Sequence, residues 1–164
     1  MELIRHFRML AQYNRVANER LYRCCAELPG AEYRERRAGS FGSIHALLNH
    51  ILLGDRIWMA RFEGEGRTTP ALNTILFDEF QALHTARVTE DARIEAFFAA
   101  ATESFFSRSF SYTNNQGKEY IETAEIAVSH FFNHQTHHRG QIHAMLSATS
   151  VRPPSLDLHR IMNP

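Results

Sequence analysis

The chain has 164 residues, the usual length of one domain with a single core, so we expect one domain over residues 1–164. Apolar residues make up 44% and charged residues 22% of the sequence, a composition that excludes intrinsic disorder. The formal net charge is zero with neutral histidines, whereas proteins that bind duplexes carry a clustered basic surface. Nucleic acid is therefore not expected as a partner.

The N-terminal residues and the two cysteines bear on localisation. The first residues lack the apolar segment of a signal peptide, and no apolar run is long enough to span a bilayer. Cys24 and Cys25 are neighbours, which rarely bridge to each other, and they indicate a reducing compartment or simple core packing. We therefore expect a cytoplasmic protein with no membrane partner.

The first half of the chain predicts two helices separated by a loop. Apolar residues recur at helical spacing over residues 3–28, and Pro29 followed by glycine ends this pattern. Residues 31–41 are polar without periodicity and predict a loop. Ser43 is a suitable N-cap for a second helix that runs to about Phe62.

The second half predicts two further helical regions and a hairpin. A turn-rich connection over residues 63–70 leads to a helical region at 73–107. Within that region Thr89 precedes two acidic residues and resembles an internal N-cap, which predicts two helices or one kinked helix. Residues 110–120 predict two short strands around a turn, and residues 122–146 predict a last long helix. The expected fold is an all-α four-helix bundle with a short β-hairpin between its third and fourth helices.

Histidines are the unusual feature of the composition, because five of the ten lie between residues 130 and 143. His134 and His138 are four residues apart and share one helix face, which is the spacing that offers two imidazoles to one metal ion. The best third ligand is His50, which lies on the apolar face of the second helix. Spacing alone leaves His130 with His134 as a rival pair, and hydrogen-bonded core histidines as the other interpretation. Neither HExxH nor CxxC is present, so a zinc protease and a zinc ribbon are excluded.

Two further patterns indicate a polar interior and a second subunit. Asn14 and Asn18 continue the inward stripe of the first helix, where buried amides support a polar site or cap a loop. The last helix has a face of small residues that allows close approach of another helix, as in a homodimer. These residues are Ser129, Thr136, Gly140 and Ala144.

The string NHQTHHRGQ at residues 133–141 resembles the signature of the DinB/YfiT-like family of four-helix metalloproteins. His50, Asp55 and Trp58 are spaced as in that family's motif on its second helix, and the first helix is similar around Asn14. The resemblance implies a four-helix bundle, often dimeric, with a divalent metal held by three histidines. Carried over by position, the ligands are His50, His134 and His138, in preference to His45 and His130.

The resemblance also implies a relation to thiol-dependent enzymes, including bacillithiol S-transferases and mycothiol-dependent maleylpyruvate isomerase. Three neutral imidazoles leave zinc or nickel with uncompensated charge and open positions. We therefore expect a metal-dependent enzyme that activates a low-molecular-weight thiol against a small electrophile. The alternatives are a metal-dependent hydrolase and a non-enzymatic metal-holding protein. His137 is the candidate proton shuttle, and Asp55 either orients a ligand or, as we favour, forms a structural ion pair, with Arg139 as the expected partner.

Overall fold

The computed structural model describes residues 2–65 and 70–163, and it shows an all-α fold with one two-stranded antiparallel sheet, as predicted. In chain order the elements are α1 (Glu2–Ala26), α2 (Gly30–Arg34), α3 (Ile44–Glu63), α4 (Phe80–Ala100), α5 (Glu103–Ser107), β1 (Ser109–Thr113), β2 (Glu119–Thr123), α6 (Ala124–Leu146) and α7 (Leu158–Met162). The long helices α1, α3, α4 and α6 form the bundle.

The order of the helices around the bundle differs from their order in the chain. α1 packs against α4 and α6, and α3 packs against the same two helices. α1 and α3 therefore lie at opposite corners, and residues 27–43 join them across the bundle. α3 and α6 run antiparallel, because Trp58 contacts His130 while His50 contacts His138. This antiparallel pairing brings His50 of α3 next to the histidines of α6.

The ends of α3 are set by local chemistry. The Ser43 hydroxyl accepts a hydrogen bond from the Ala46 amide at 3.1 Å, so the predicted N-cap is confirmed. Gly64 ends the helix with φ of +87°, a left-handed conformation that favours glycine. Its amide donates to the Arg61 carbonyl, and the next amide donates to Ala60. Residues 66–69 of the predicted turn-rich connection lie outside the described part of the chain.

Two predictions about local structure were wrong. Residues 31–41 are not entirely loop, because α2 begins at Gly30 and buries Tyr33 against α3. α2 is so short, and its surface so polar, that its sequence shows no apolar periodicity. Thr89 is not an N-cap, since α4 continues through it and its hydroxyl donates to the Thr85 carbonyl. The helical region breaks after Ala100 instead, and α5 follows.

A buried polar layer divides the interior of the bundle. One apolar cluster includes Leu21, Leu48 and Ile142, and the other is rich in phenylalanine. Every long helix contributes to the layer between them, which consists of Asn14, Asn18, Asp55, Arg87, Asp91, Gln135 and Arg139. These residues are at most 3% exposed, and their two arginines match their two aspartates in charge.

Ion pairs and amide hydrogen bonds hold this layer together. Arg87 pairs with Asp55 at 2.5 Å and with Asp91 at 3.0 Å. Asn18 donates to Asp91 at 2.9 Å, and Arg139 donates to Asn14. The two asparagines therefore support a buried polar network, and the alternative that they cap a loop is wrong.

The predicted hairpin is present and lies beside the N-terminal end of α6. Tyr112 pairs with Tyr120 across the strands, and their rings stack at 5.7 Å between centroids. Asn114 closes the turn, because its side-chain oxygen accepts hydrogen bonds from the Gln116 and Lys118 amides at 2.9 Å each. Within residues 2–65 and 70–163, no helix is long and apolar enough to cross a membrane.

Candidate metal centre

Three histidine side chains converge between α3 and α6. The Nε2 atom of His50 lies 3.2 Å from the Nε2 atoms of both His134 and His138. One ligand atom from each ring falls within 4.8 Å of the others. His50 and His138 are buried and His134 is half-buried. The structure thus brings together the three residues that the sequence singled out.

Hydrogen bonds on the outer side of two rings fix which nitrogen faces the centre. The Nδ1 atom of His50 lies 2.9 Å from the Leu72 carbonyl oxygen, and the Nδ1 atom of His138 lies 2.8 Å from the Gln141 side-chain oxygen. Both partners are acceptors, so each Nδ1 carries the proton and donates. In a neutral imidazole the Nε2 atom then has the free lone pair. These lone pairs point toward one another.

The spacing of the three nitrogens fits a cation. Ligands held at about 2.05 Å from a zinc-like ion in tetrahedral geometry are ~3.3 Å apart. The observed 3.2 Å separations from the His50 Nε2 atom match this value. Lone pairs at that distance repel one another unless a proton or a cation lies between them. Within the described residues, no fourth histidine, cysteine or carboxylate joins the group.

Comparisons with known proteins agree with this arrangement. The model of the DinB family matches residues 4–164. The chain belongs to the DinB family. It is also similar to the protein DinB of Bacillus subtilis (strain 168), with 27% identity over 146 residues, 84% of this chain and 82% of that protein. Family membership and the histidine cluster together fit metal binding.

Packing around the histidines depends on two residues that the sequence did not single out. Gly54 in this DinB-family chain lies against His134, and an added Cβ would be 2.9 Å from the His134 Cε1 atom. Phe41 stacks on His50 with 3.8 Å between ring centroids and contacts His138 edge-on. A glycine inside an apolar helix is a signal of close approach, but sequence does not say to what.

The carbonyl that orients His50 is held in place by Asn49. The side-chain oxygen of Asn49 accepts hydrogen bonds from the Leu76 and Phe77 amides at 2.9 Å each. Its amide nitrogen donates to the His45 and Phe77 carbonyls at 3.1 Å each. Asn49 is fully buried and thereby fixes the segment that carries Leu72 to the site. The sequence signal that could have identified Asn49 is an asparagine on the apolar face of a helix.

Electrostatics keep the three imidazoles neutral. Burial, together with the neighbouring His138 and His50, lowers the pKa of His134 to about 3. Burial also lowers the pKa values of His50 and His138, although the hydrogen bonds to Leu72 and Gln141 act in the opposite direction. Neutral imidazole is the form that binds a metal ion.

The remaining histidines lie outside the cluster and make other contacts. His45 contacts the Tyr33 hydroxyl at 3.2 Å, and His143 lies 3.1 Å from the Pro154 carbonyl in the C-terminal tail. His137 is exposed beside His138. His130 packs on Trp58 with 5.2 Å between centroids, and its ring centroid lies 5.9 Å from that of His134.

Asp55 is part of the polar layer. It is fully buried, pairs with Arg87, and accepts a hydrogen bond from Gln135 at 2.7 Å. The favoured interpretation as a structural ion pair agrees with the structure, but the expected partner Arg139 was wrong. Arg139 hydrogen-bonds Asn14 and Asn18 instead. Sequence could not identify Arg87 because four long helices meet at this layer.

A cavity of about 340 Å³ opens from one side of the histidine cluster. α3, α6, the hairpin and the segment around Leu72 enclose it. Its lining includes His50, Gly54, Ile57, Trp58, Arg61, Leu72, Tyr112, Asn114, Asn115, Tyr120, His130 and His134. A small molecule in this cavity would contact the cluster directly. His130 lines the cavity, whereas His137 is not among its lining residues.

Proposed function

We propose that His50, His134 and His138 hold one divalent ion, zinc or nickel, and that the protein is a thiol-dependent transferase acting on a small electrophile. The observation that carries this proposal is the convergence of three Nε2 atoms beside a cavity of about 340 Å³. A structural ion is usually enclosed by four protein ligands, whereas a catalytic one keeps a position open. Three ligands and an adjoining cavity favour catalysis.

The chemistry expected at this site is thiol activation. A divalent ion bound there would deprotonate a coordinating thiol and supply a nucleophilic thiolate. The thiol must come from outside the chain, because neither cysteine lines the cavity. Burial raises the pKa of Cys25 to about 12 and also raises that of Cys24. Both cysteines therefore stay protonated and unreactive at neutral pH.

A proton acceptor for the incoming thiol is available in the cavity wall. His130 lines the cavity, and partial burial lowers its pKa, so its ring is neutral and able to accept the thiol proton at pH 7. His137 was the residue expected to move protons from sequence. Its exposed ring packs edge-on against His138 and does not line the cavity. We assign the first proton transfer to His130.

Cobalt substitution tests thiol coordination without knowledge of the electrophile. The untagged protein is loaded with cobalt(II) and titrated with cysteine or bacillithiol, and the near-ultraviolet absorption is recorded. We expect a thiolate-to-cobalt charge-transfer band in the wild type and in the matched control His143→Ala. His138→Ala should show no band. A wild type that binds cobalt but gives no band with either thiol would contradict the thiol-dependent assignment.

Hydrolysis is the second candidate function, favoured by the fact that the same open position would accept water. It would be indicated by zinc-dependent cleavage of p-nitrophenyl acetate that disappears in His138→Ala, together with the absence of the charge-transfer band. A non-enzymatic metal-holding role would leave both assays silent while the metal stabilised the fold.

A further inference from the structure

A second cavity, a groove of about 490 Å³, opens to solvent along the contact between α1 and α4. Its lining residues fall within 15–26 of α1 and 84–91 of α4, and they recur at helical spacing, so one face of each helix forms one wall. α1 and α3 lie at opposite corners of the bundle. The groove is therefore across the bundle from the contact of α3 with α6 that holds the histidines.

The floor of the groove is part of the buried polar layer. Asn18, Tyr22, Arg87 and Asp91 line it, and each residue is at most 3% exposed. The hydroxyl of Tyr22 and the Nε atom of Arg87 are buried and have no hydrogen-bond partner among the residues that the structure describes. Buried polar groups are nearly always hydrogen-bonded, and leaving one without a partner is unfavourable. Two such groups beside one groove indicate that a bound molecule completes their hydrogen bonds.

The groups that remain available on this floor are donors next to one acceptor. Burial raises the pKa of Tyr22, so its hydroxyl stays protonated and can donate, and the Nε atom of Arg87 is a donor only. Asn18 and Arg87 both contact the Oδ1 atom of Asp91, at 2.9 Å and 3.0 Å. Within residues 2–65 and 70–163 no hydrogen bond reaches the Oδ2 atom of Asp91, which is an acceptor. A carboxamide matches this set, because its carbonyl accepts and its N–H donates.

The charges around the groove favour an uncharged ligand. The two arginines of the polar layer match its two aspartates, so an added ion at the floor would be buried without a partner of its own. Charges at the rim are also paired, since Glu19 binds Arg23 at 2.8 Å and lies 3.7 Å from Arg15. A neutral polar group is therefore the better match for the floor.

Apolar and aromatic surface above the floor suits a flat ring. Val88 is 58% exposed although it is apolar, and Ala26 on the facing helix is exposed as well. The half-buried ring of His84 stacks on Tyr22 with 5.3 Å between ring centroids. Flat unsaturated rings pack favourably on such surfaces, and the volume of the groove is within the range of small-molecule sites.

We propose that the groove between α1 and α4 is a second binding site, which takes a small, uncharged aromatic or heterocyclic carboxamide. The carbonyl oxygen of the ligand accepts hydrogen bonds from the Tyr22 hydroxyl and the Arg87 Nε atom. Its N–H donates to the Asp91 carboxylate, and its ring lies against Val88. This site is separate from the three histidines and does not depend on the proposed metal chemistry.

Benzamide, acetophenone and benzoate test the assignment, because they share a flat ring and differ at one group. Acetophenone lacks the N–H donor, and benzoate is charged. Untagged ¹⁵N-labelled protein is titrated with each at a pH of about 8 while backbone amide chemical shifts are recorded. Burial raises the pKa of Asp91 to about 6, so its carboxylate is ionised there. We expect benzamide to bind at least about tenfold more tightly than either of the others, with shift changes concentrated at residues 15–26 and 84–91.

Three variants identify the site. Val88→Arg fills the groove and should weaken benzamide binding by at least about tenfold, whereas Ile126→Arg, at a position that is 60% exposed on α6, should bind as the wild type does. Tyr22→Phe removes a donor to the carbonyl that benzamide and acetophenone share. It should weaken both by about fivefold and leave the preference for benzamide unchanged.

Four results would overturn the proposal. They are no detectable binding of benzamide, equal affinities for the three probes, shift changes confined to residues outside α1 and α4, and a folded Val88→Arg protein with wild-type affinity for benzamide. Circular dichroism establishes that each variant is folded.

Discussion

Gly54→Ala is expected to weaken metal binding without unfolding the protein. The added Cβ would lie 2.9 Å from the His134 Cε1 atom. Carbon atoms in favourable contact are about 3.5–4.0 Å apart, so the ring must retreat by roughly 0.6–1.1 Å. Metal–ligand distances tolerate only about 0.2 Å. Displacing His134 by several times that amount should lower zinc affinity by at least tenfold, comparable with the ~10–100-fold losses that follow disturbance of ligand orientation.

The stability of the metal-free protein should respond differently. Alanine is favoured over glycine inside a helix by about 0.5–1 kcal/mol, which offsets part of the cost of moving the His134 ring. We therefore expect the free energy of unfolding of metal-free Gly54→Ala to stay within about 1 kcal/mol of the wild type. Zinc affinity is measured by competition with a chelating dye, and unfolding by urea titration of circular dichroism.

Gly30→Ala is the matched control. It places the same methyl group in α2, where an added Cβ meets nothing within 4 Å. This variant should bind zinc as the wild type does and stay within about 1 kcal/mol of its stability. A folded Gly54→Ala protein with wild-type zinc affinity would refute the argument that a close approach at Gly54 positions His134.

Three further predictions concern stability and assembly. The lowered pKa of His134, about 3, means that the unfolded chain binds more protons than the folded chain between that value and ~6.5. The free energy of unfolding of metal-free protein should therefore fall as pH drops through this window, and the fall should be smaller in His134→Ala. An equal pH dependence of the wild type and the variant would contradict this assignment to His134. Arg87→Met should lower the free energy of unfolding by about 3–5 kcal/mol in urea titrations, because it leaves two buried aspartates without their arginine partner. Arg23→Met, which removes an exposed ion pair, should lower it by less than about 1 kcal/mol. We also predict a homodimer through the exposed small-residue face of α6; light scattering should give a dimer for the wild type and a monomer for Ala144→Arg, and a monomeric wild type would contradict it.

Most of the fold, and the grouping of the histidines, could be predicted from helical periodicity. Residues four apart on one helix necessarily share a face, so His134 and His138 could be placed together from sequence. Spacing could not choose between His130 and His138, because that choice depends on how far α3 slides along α6. The resemblance to a known family supplied this information.

Features that depend on distances between elements were not predictable. The contact of Gly54 with His134 requires the separation of two helices. The support of His50 by Leu72 and Phe41 comes from loops far away in sequence, which carry no periodic pattern. The internal N-cap expected near Thr89 was wrong because acidic residues usually signal solvent or a helix start, whereas Asp91 here is buried and paired with arginine.

Elemental analysis of untagged protein tests the central claim most directly. The wild type and His134→Ala are purified in parallel without added metal, and His143→Ala serves as a control because its ring contacts the C-terminal tail. We predict about one divalent ion per chain in the wild type and in His143→Ala, and none in His134→Ala. A wild type without stoichiometric metal, or a His134→Ala protein that retains it, would contradict the three-histidine site.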